Sequence, residues 1–397
     1  MTEMWFLATV WMALALLSTF ISVRFRIATA LSEILVGIVA QAVVVYALPH
    51  YSLGASESWI TFLASSGAIA LTFLAGAELD PAVFQSRFKE AGLIGLAAFV
   101  APFFGCTAVA YYLLHWDIMA SWLCGAALCT SSVAVVYAVM LELGLNRTEF
   151  GKVVLGACFV NGLSMMIILG FIFSPFTYKT VIFLIAIIVV CFVLPRLTQH
   201  LFEKYADLPA EIETKYMLLS LFALSALATW AGSEAVLPAY LIGMVLAGIV
   251  GRNHVFIRRL RTLTLGLLTP FYFIRAGSFV SLGPLWAAPL VFVVLFAAKM
   301  VTKIIGVYPV AKWVSYPRLE AIYTTLLMST GLTFGTIAAL FGLTHGVITT
   351  EQYSHLVATV IASAVIPTVI ANAFYLPKHL LDADNPQKVT NLANPKG

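Results

Sequence analysis

The chain has 397 residues, of which 61% are hydrophobic and only 10% charged, with a net charge of +4. A mean hydropathy of +0.99, with an apolar share well above the roughly 45 to 50% of soluble domains, excludes a soluble globule and predicts an all-α, polytopic membrane protein. The small positive balance is distributed by membrane sidedness, so it does not call for nucleic acid as a partner.

With about 20 apolar residues needed per crossing, thirteen transmembrane helices are expected along the chain. The first, 5–23, follows Met1-Thr2-Glu3 and has no basic leader region, so it reads as a retained span rather than a signal peptide. The second, 27–48, carries Glu33, the only acid well inside a span. Spans 58–78 and 92–114 follow. The fifth, 120–141, has a polar centre, Thr130-Ser131-Ser132, directly after Cys129. The sixth, 149–173, has Asn161, Gly162 and Ser164 at its middle. An unsatisfied amide or hydroxyl is costly in hydrocarbon, so these side chains should face protein or a water-filled cavity.

Span 178–201 stands alone as a linker, and 212–230, 235–250 and 262–280 follow it. The eleventh span, 284–311, holds Lys299 and Lys303, four apart and therefore on one helix face. Either they snorkel to an interface or they form a cation in the protein core. Arg275, near the end of the tenth span, reads as a snorkelling residue without a role. The twelfth span, 319–342, has the centre Ser329-Thr330-Gly331-Leu332-Thr333, and the thirteenth is 353–376. The tail, 377–397, is polar and reads as disordered.

Six spans, a linker and six spans make two inverted repeats, in which the fifth and twelfth correspond. Their polar centres admit two readings. The hydroxyls bond back to their own helices, or both helices are discontinuous, which is the sequence sign of a transporter binding site. Sorting Lys and Arg by connection places eighteen, among them Arg24, Arg87, Lys152, Lys204, Arg259 and Lys312, on the side of the tail and only Lys179 opposite. This predicts an N-terminus outside and a C-terminus in the cytoplasm of the inner (plasma) membrane.

Cys106, Cys124, Cys129, Cys158 and Cys191 lie in spans without metal-ligand spacing and read as small core residues. No metal, cofactor or catalytic residue is expected. There is no HExxH motif and no Asp pair at bilayer depth, so an intramembrane enzyme is not indicated.

Four segments carry a resemblance: Ser32-Glu33-Ile34-Leu35-Val36-Gly37, Phe73-Leu74-Ala75-Gly76-Ala77-Glu78-Leu79-Asp80, Thr130 to Val135, and Ser363-Ala364-Val365-Ile366-Pro367-Thr368. Their order resembles bacterial monovalent cation:proton antiporters of the sodium/proton exchanger superfamily. The resemblance implies a single transmembrane domain that works as a homodimer, with 5–91 and 212–280 mainly on the dimerisation side and 92–173 and 284–376 mainly in a mobile transport core. It also implies elevator-like alternating access. In that family the sixth span carries an Asp-Asp or Asn-Asp pair whose second acid binds the cation, whereas this chain has Asn161-Gly162. Lys303, three residues before Gly306, looks like the family's core lysine, with Lys299 as the alternative register.

The expected function is therefore exchange of Na+ or K+ for protons, with coupling altered or impaired because neither an amide nor a glycine titrates. A non-transporting sensor or scaffold of the same fold and a carrier of another small solute are the alternatives. The proposed ion-site residues are Thr130, Ser131, Ser132, Asn161, Gly162, Ser164, Lys299, Lys303, Ser329, Thr330 and Thr333, with membrane lipid as surroundings.

Overall fold

The computed structural model describes residues 2–25, 27–47, 51–77, 87–143, 145, 148–173, 177–205, 211–233, 235–251 and 253–382. Glu78, Leu79 and Asp80, and the tail beyond residue 382, lie outside these residues.

Among the described residues all regular structure is helical. In chain order come α1 (Thr2–Phe25), α2 (Thr29–Ala47), α3 (Ser58–Ala77), α4 (Phe88–Ala108, extended by a π turn, Val109–Leu113), α5 (Ile118–Leu128), α6 (Val133–Leu143) and α7 (Glu149–Phe173). Then follow α8 (Tyr178–Tyr205), α9 (Ile212–Trp230), α10 (Val236–Val250), α11 (His254–Leu263), a π turn (Thr264–Leu268) and α12 (Thr269–Ser278). The chain continues with α13 (Leu282–Ala287), α14 (Pro289–Trp313), α15 (Arg318–Met328), α16 (Thr333–Thr344), α17 (Thr350–Phe374) and α18 (His379–Asp382).

Counting 318–344 as one, ten segments among the described residues are long and apolar enough to cross a membrane. The other three expected stretches are helical but differ for physical reasons. Residues 118–143 are split into two 11-residue helices. Helix α10 has only 15 residues. The tenth stretch starts earlier than expected, on α11, which carries Arg258, Arg259 and Arg261 on an amphipathic helix and reaches α12 through the π turn.

The chain divides into two compact units, Met1–Ala82 with Met166–Gly283 and Val83–Met165 with Pro284–Gly397. Within the first unit, helices cross where glycines let backbones touch. A Cβ on Gly243 of α10 would strike Phe73 O of α3, and one on Gly277 of α12 would strike Ile34 O of α2. Such small-residue crossings replace the hydrophobic drive that lipid cannot supply. Trp11 stacks on Phe271 with centroids 5.3 Å apart, and its Nε1 donates to Leu53 O at 2.8 Å. Arg275 does not snorkel. It is 8% exposed and its Nε donates to Ala55 O at 2.7 Å, while the guanidinium lies 4.9 Å from the Phe279 ring centre.

The second unit packs α4, α6, α14, α15, α17 and the first part of α7 around one apolar cluster that includes Ile94, Met140, Val154, Tyr323 and Met328, while α5 packs against α4 and α16. Local caps fix where its helices start. Asp117 Oδ2 accepts from Met119 N at 3.0 Å to open α5, and Thr349 with Gln352 forms a reciprocal box that opens α17. Four of the five cysteines are buried and Cys191 is half-buried.

Candidate functional site

The second unit contains two breaks in otherwise buried helices. Residues 129–132 separate α5 from α6, and residues 329–332 separate α15 from α16. A break exposes backbone groups that lipid cannot satisfy, and here the two breaks satisfy each other. Ser132 N donates to Thr330 O at 2.8 Å, and Ser131 Oγ donates to Met328 O at 2.6 Å.

Both readings of the polar centres hold at once. Thr130 Oγ1 donates to Ala127 O at 3.0 Å, Ser329 Oγ to Thr325 O at 2.7 Å and Thr330 Oγ1 to Leu327 O at 2.7 Å, so these hydroxyls back-bond to their own helices. The helices are nonetheless interrupted, because the hydroxyls take up carbonyls of the last turn and the partner break takes up others. Ser132 Oγ accepts from Val135 N at 3.3 Å, and Thr333 is buried at the first residue of α16.

Asn161, fully buried on α7, ties to the first break through both amide atoms. Its Oδ1 accepts from Ser131 N at 2.7 Å and its Nδ2 donates to Cys129 O at 3.1 Å. This bonding assigns the amide orientation. Gly162 follows and is also buried. Ser164 is not brought to the breaks: its Oγ donates to Val160 O one turn back, at 2.8 Å.

Lys299 and Lys303 lie on the buried stripe of α14, with Leu295, Val307 and Ala311, and both are fully buried. Lys303 Nζ donates to Cys129 O at 2.7 Å and to Ser131 Oγ at 2.9 Å. Among the described residues Lys299 Nζ has no hydrogen-bond partner, and it lies against Gly331. Each lysine thus meets a different break. Lys303 sits on the carbonyl end of α5, where the helix dipole favours a cation, and Lys299 sits beside the segment that follows α15. Ion pairs among the described residues, such as Arg87 with Glu90 and Arg259 with Glu211, lie elsewhere.

The side-chain pattern did not announce Cys129, because its role is carried by its carbonyl oxygen, which every residue has. Ser363 approaches the same region from α17, near the position that a Cβ on Gly331 would take. It lies in a motif already visible in the sequence, and that was its only signal. Chemically the arrangement offers carbonyl and hydroxyl oxygens, an amide and two ammonium groups, with no carboxylate among the groups just described. Such oxygens can replace the water around a small cation, while the ammonium groups oppose its charge.

Residues 12–374 match the family described as "Sodium/hydrogen exchanger, transmembrane". The chain is 25% identical over 371 residues to the Na(+)/H(+) antiporter of Enterococcus hirae, covering 89% of this chain and 93% of that protein. It is 22% identical over 370 residues to the Na(+)/H(+)-K(+) antiporter GerN of Bacillus cereus, covering 89% and 92%. The structure of the sodium proton antiporter MjNhaP1 from Methanocaldococcus jannaschii at pH 8 superposes with a TM-score of 0.69 at 15% identity, covering 96% of this chain and 98% of that one. This last likeness is one of fold.

Proposed function

Because the chain belongs to the sodium/hydrogen exchanger family, a family of multi-pass membrane transporters rather than enzymes, we propose that it exchanges a monovalent cation, Na+ or K+, for protons, with coupling altered or impaired by Gly162. The observation that carries this reading is the meeting of two interrupted helices, with Asn161 and Lys303 sharing the Cys129 carbonyl between them. Interrupted helices packed against each other leave carbonyls and half-helix ends available to an ion, the device by which many secondary transporters hold their substrate.

In this reading the chain crosses the plasma membrane thirteen times as two inverted six-helix repeats about a linker, with the N-terminus outside. Residues 92–173 and 284–376 mainly form the core that moves the ion, 5–91 and 212–280 mainly form the dimerisation side of a homodimer, and lipid surrounds both. Gly162 stands where the family's second acid is expected, so the step that normally trades a cation for protons on a carboxylate is reassigned or lost. The missing carboxylate also favours one rival, a non-transporting sensor or scaffold of the same fold.

Isotope uptake into proteoliposomes tests the proposal. Uptake of labelled sodium or rubidium driven by an imposed pH gradient supports exchange. Uptake that ignores the gradient indicates a carrier without proton coupling, and no uptake despite a well-folded protein indicates the sensor.

A further inference from the structure

Residues 377–382 begin the stretch that reads as disordered in the sequence, yet they fold back onto the second unit. Pro377 is buried, and Leu380 N donates to Pro377 O at 3.0 Å. Leu380 packs with Tyr375 and Leu376 against the apolar cluster that holds Tyr323 and Leu327. One polar contact pins this turn: His379 Nε2 donates to Glu320 Oε1 at 2.9 Å. An ionised carboxylate only accepts, which assigns the ring proton. The Glu320 side chain is 11% exposed and that of His379 57% exposed, so an acid held largely away from water takes its partner from the segment after the last long helix.

Glu320 lies in the first turn of α15, and Met328, the last residue of that helix, adjoins the second break. A helix of 11 residues is a rod about 16 Å long that carries a shift at one end to the other. Tyr323 Oη of α15 also donates to Asn372 Oδ1 of α17 at 3.1 Å, a bond between neutral groups. The contact at His379 differs, because histidine is the side-chain type that ordinarily changes charge between pH 5 and 8.

We propose that residues 375–382 are a clasp on α15, closed by a protonated His379 on Glu320 and loosened when the imidazole is neutral, and that the clasp sets the mobility of the second break. The inference stands apart from the transport reading. Around the pair, the other charged and titratable groups among the described residues are Lys312 and Tyr316 from the end of α14, Arg318 on α15 and Lys378 beside His379. The pair Arg87–Glu90 lies near Tyr316, and Glu149, paired with Lys152, lies near Arg87. The last two turns of α17 carry no charged residue. None of these groups is a histidine. With His379 as an imidazolium the bond to Glu320 is charge-assisted, and with a neutral ring it is a weaker, ordinary hydrogen bond. The clasp is therefore tighter at pH 6 than at pH 8.

Hydrogen exchange of the purified full chain, resolved by peptide mass, tests this. Each variant is compared with wild type at the same pH, so the intrinsic effect of pH on exchange cancels, and a melting curve accompanies each. At pH 6, His379→Gln exchanges about two- to fivefold faster than wild type over 378–382, the range for a partly exposed ion pair, and faster over 318–332 as well. At pH 8 the two proteins converge. Glu320→Gln behaves as His379→Gln does, and the double variant adds nothing to either, because one interaction is lost in all three. Leu380→Ala, which removes apolar contact and no charge, speeds exchange over 378–382 by the same factor at both pH values. Equal exchange in wild type and His379→Gln at pH 6 overturns the clasp. The same ratio at pH 6 and pH 8 overturns the role of the proton, and a change confined to 378–382 overturns the action on α15. If Glu320→Gln does not fold, His379→Gln, at the exposed side chain, decides alone.

Discussion

Asn161 and Lys303 donate to one oxygen: Nδ2 and Nζ reach the carbonyl of Cys129 at 3.1 and 2.7 Å. The two donors come from α7 and α14, far apart in sequence, and both end on the carbonyl that the first break frees. A shared acceptor makes their contributions interdependent. Removing either donor leaves the carbonyl one partner, and removing both orphans it in a buried site. The double variant Asn161→Ala/Lys303→Met should therefore be less stable than the sum of its parts by about 0.5 to 3 kcal/mol. Unfolding curves of the two single variants and the double in detergent measure this, and additivity would show that the carbonyl is not shared.

Asn161→Ala alone also strips Ser131 N of its acceptor. A buried donor left unsatisfied costs about 1 to 3 kcal/mol, so this variant should melt clearly below wild type. Ser164→Ala, whose hydroxyl only bonds back to Val160 O, should melt close to wild type. Equal melting of the two would contradict the different places that the structure gives these two polar residues of α7.

The existence of the breaks was legible in the sequence because hydroxyls and glycine at mid-span are anomalous there. Their partners were not. Ser132 N to Thr330 O and Asn161 to Cys129 O are bonds to backbone atoms, which leave no trace in residue type. The lysine pair was legible as a face of one helix, yet its division between two breaks depends on a single absent side chain, at Gly331. Arg275 was misread as a snorkelling residue because its acceptor, Ala55 O, lies 220 residues away on a loop with no signal of its own. The tenth stretch was placed late because arginines depress hydropathy on α11, although Phe256, Ile257 and Leu260 bury its apolar side.

The crossing of α3 and α10 makes a prediction away from the site. Gly243→Ala would push a methyl group into Phe73 O and the Gly76 Cα, both of them backbone atoms that can yield only if the helices separate. Overpacking of this kind costs about 1 to 3 kcal/mol. The variant should melt lower while its cation binding keeps the wild-type dependence on pH. Wild-type melting would show that the helices do not approach this closely.

The claim that coupling is altered at position 162 has its most direct test in proton flux. Gly162→Asp adds a titratable carboxylate beside Asn161, a single group for which cation and proton then compete. Gly162→Asn adds a side chain of similar size that cannot titrate, and so separates charge from bulk. Cation-dependent proton flux, followed with a pH dye in proteoliposomes, should be greater in Gly162→Asp than in Gly162→Asn and should vary with pH only where the new group titrates. Equal flux in the two variants would contradict the account and remove position 162 from the coupling step.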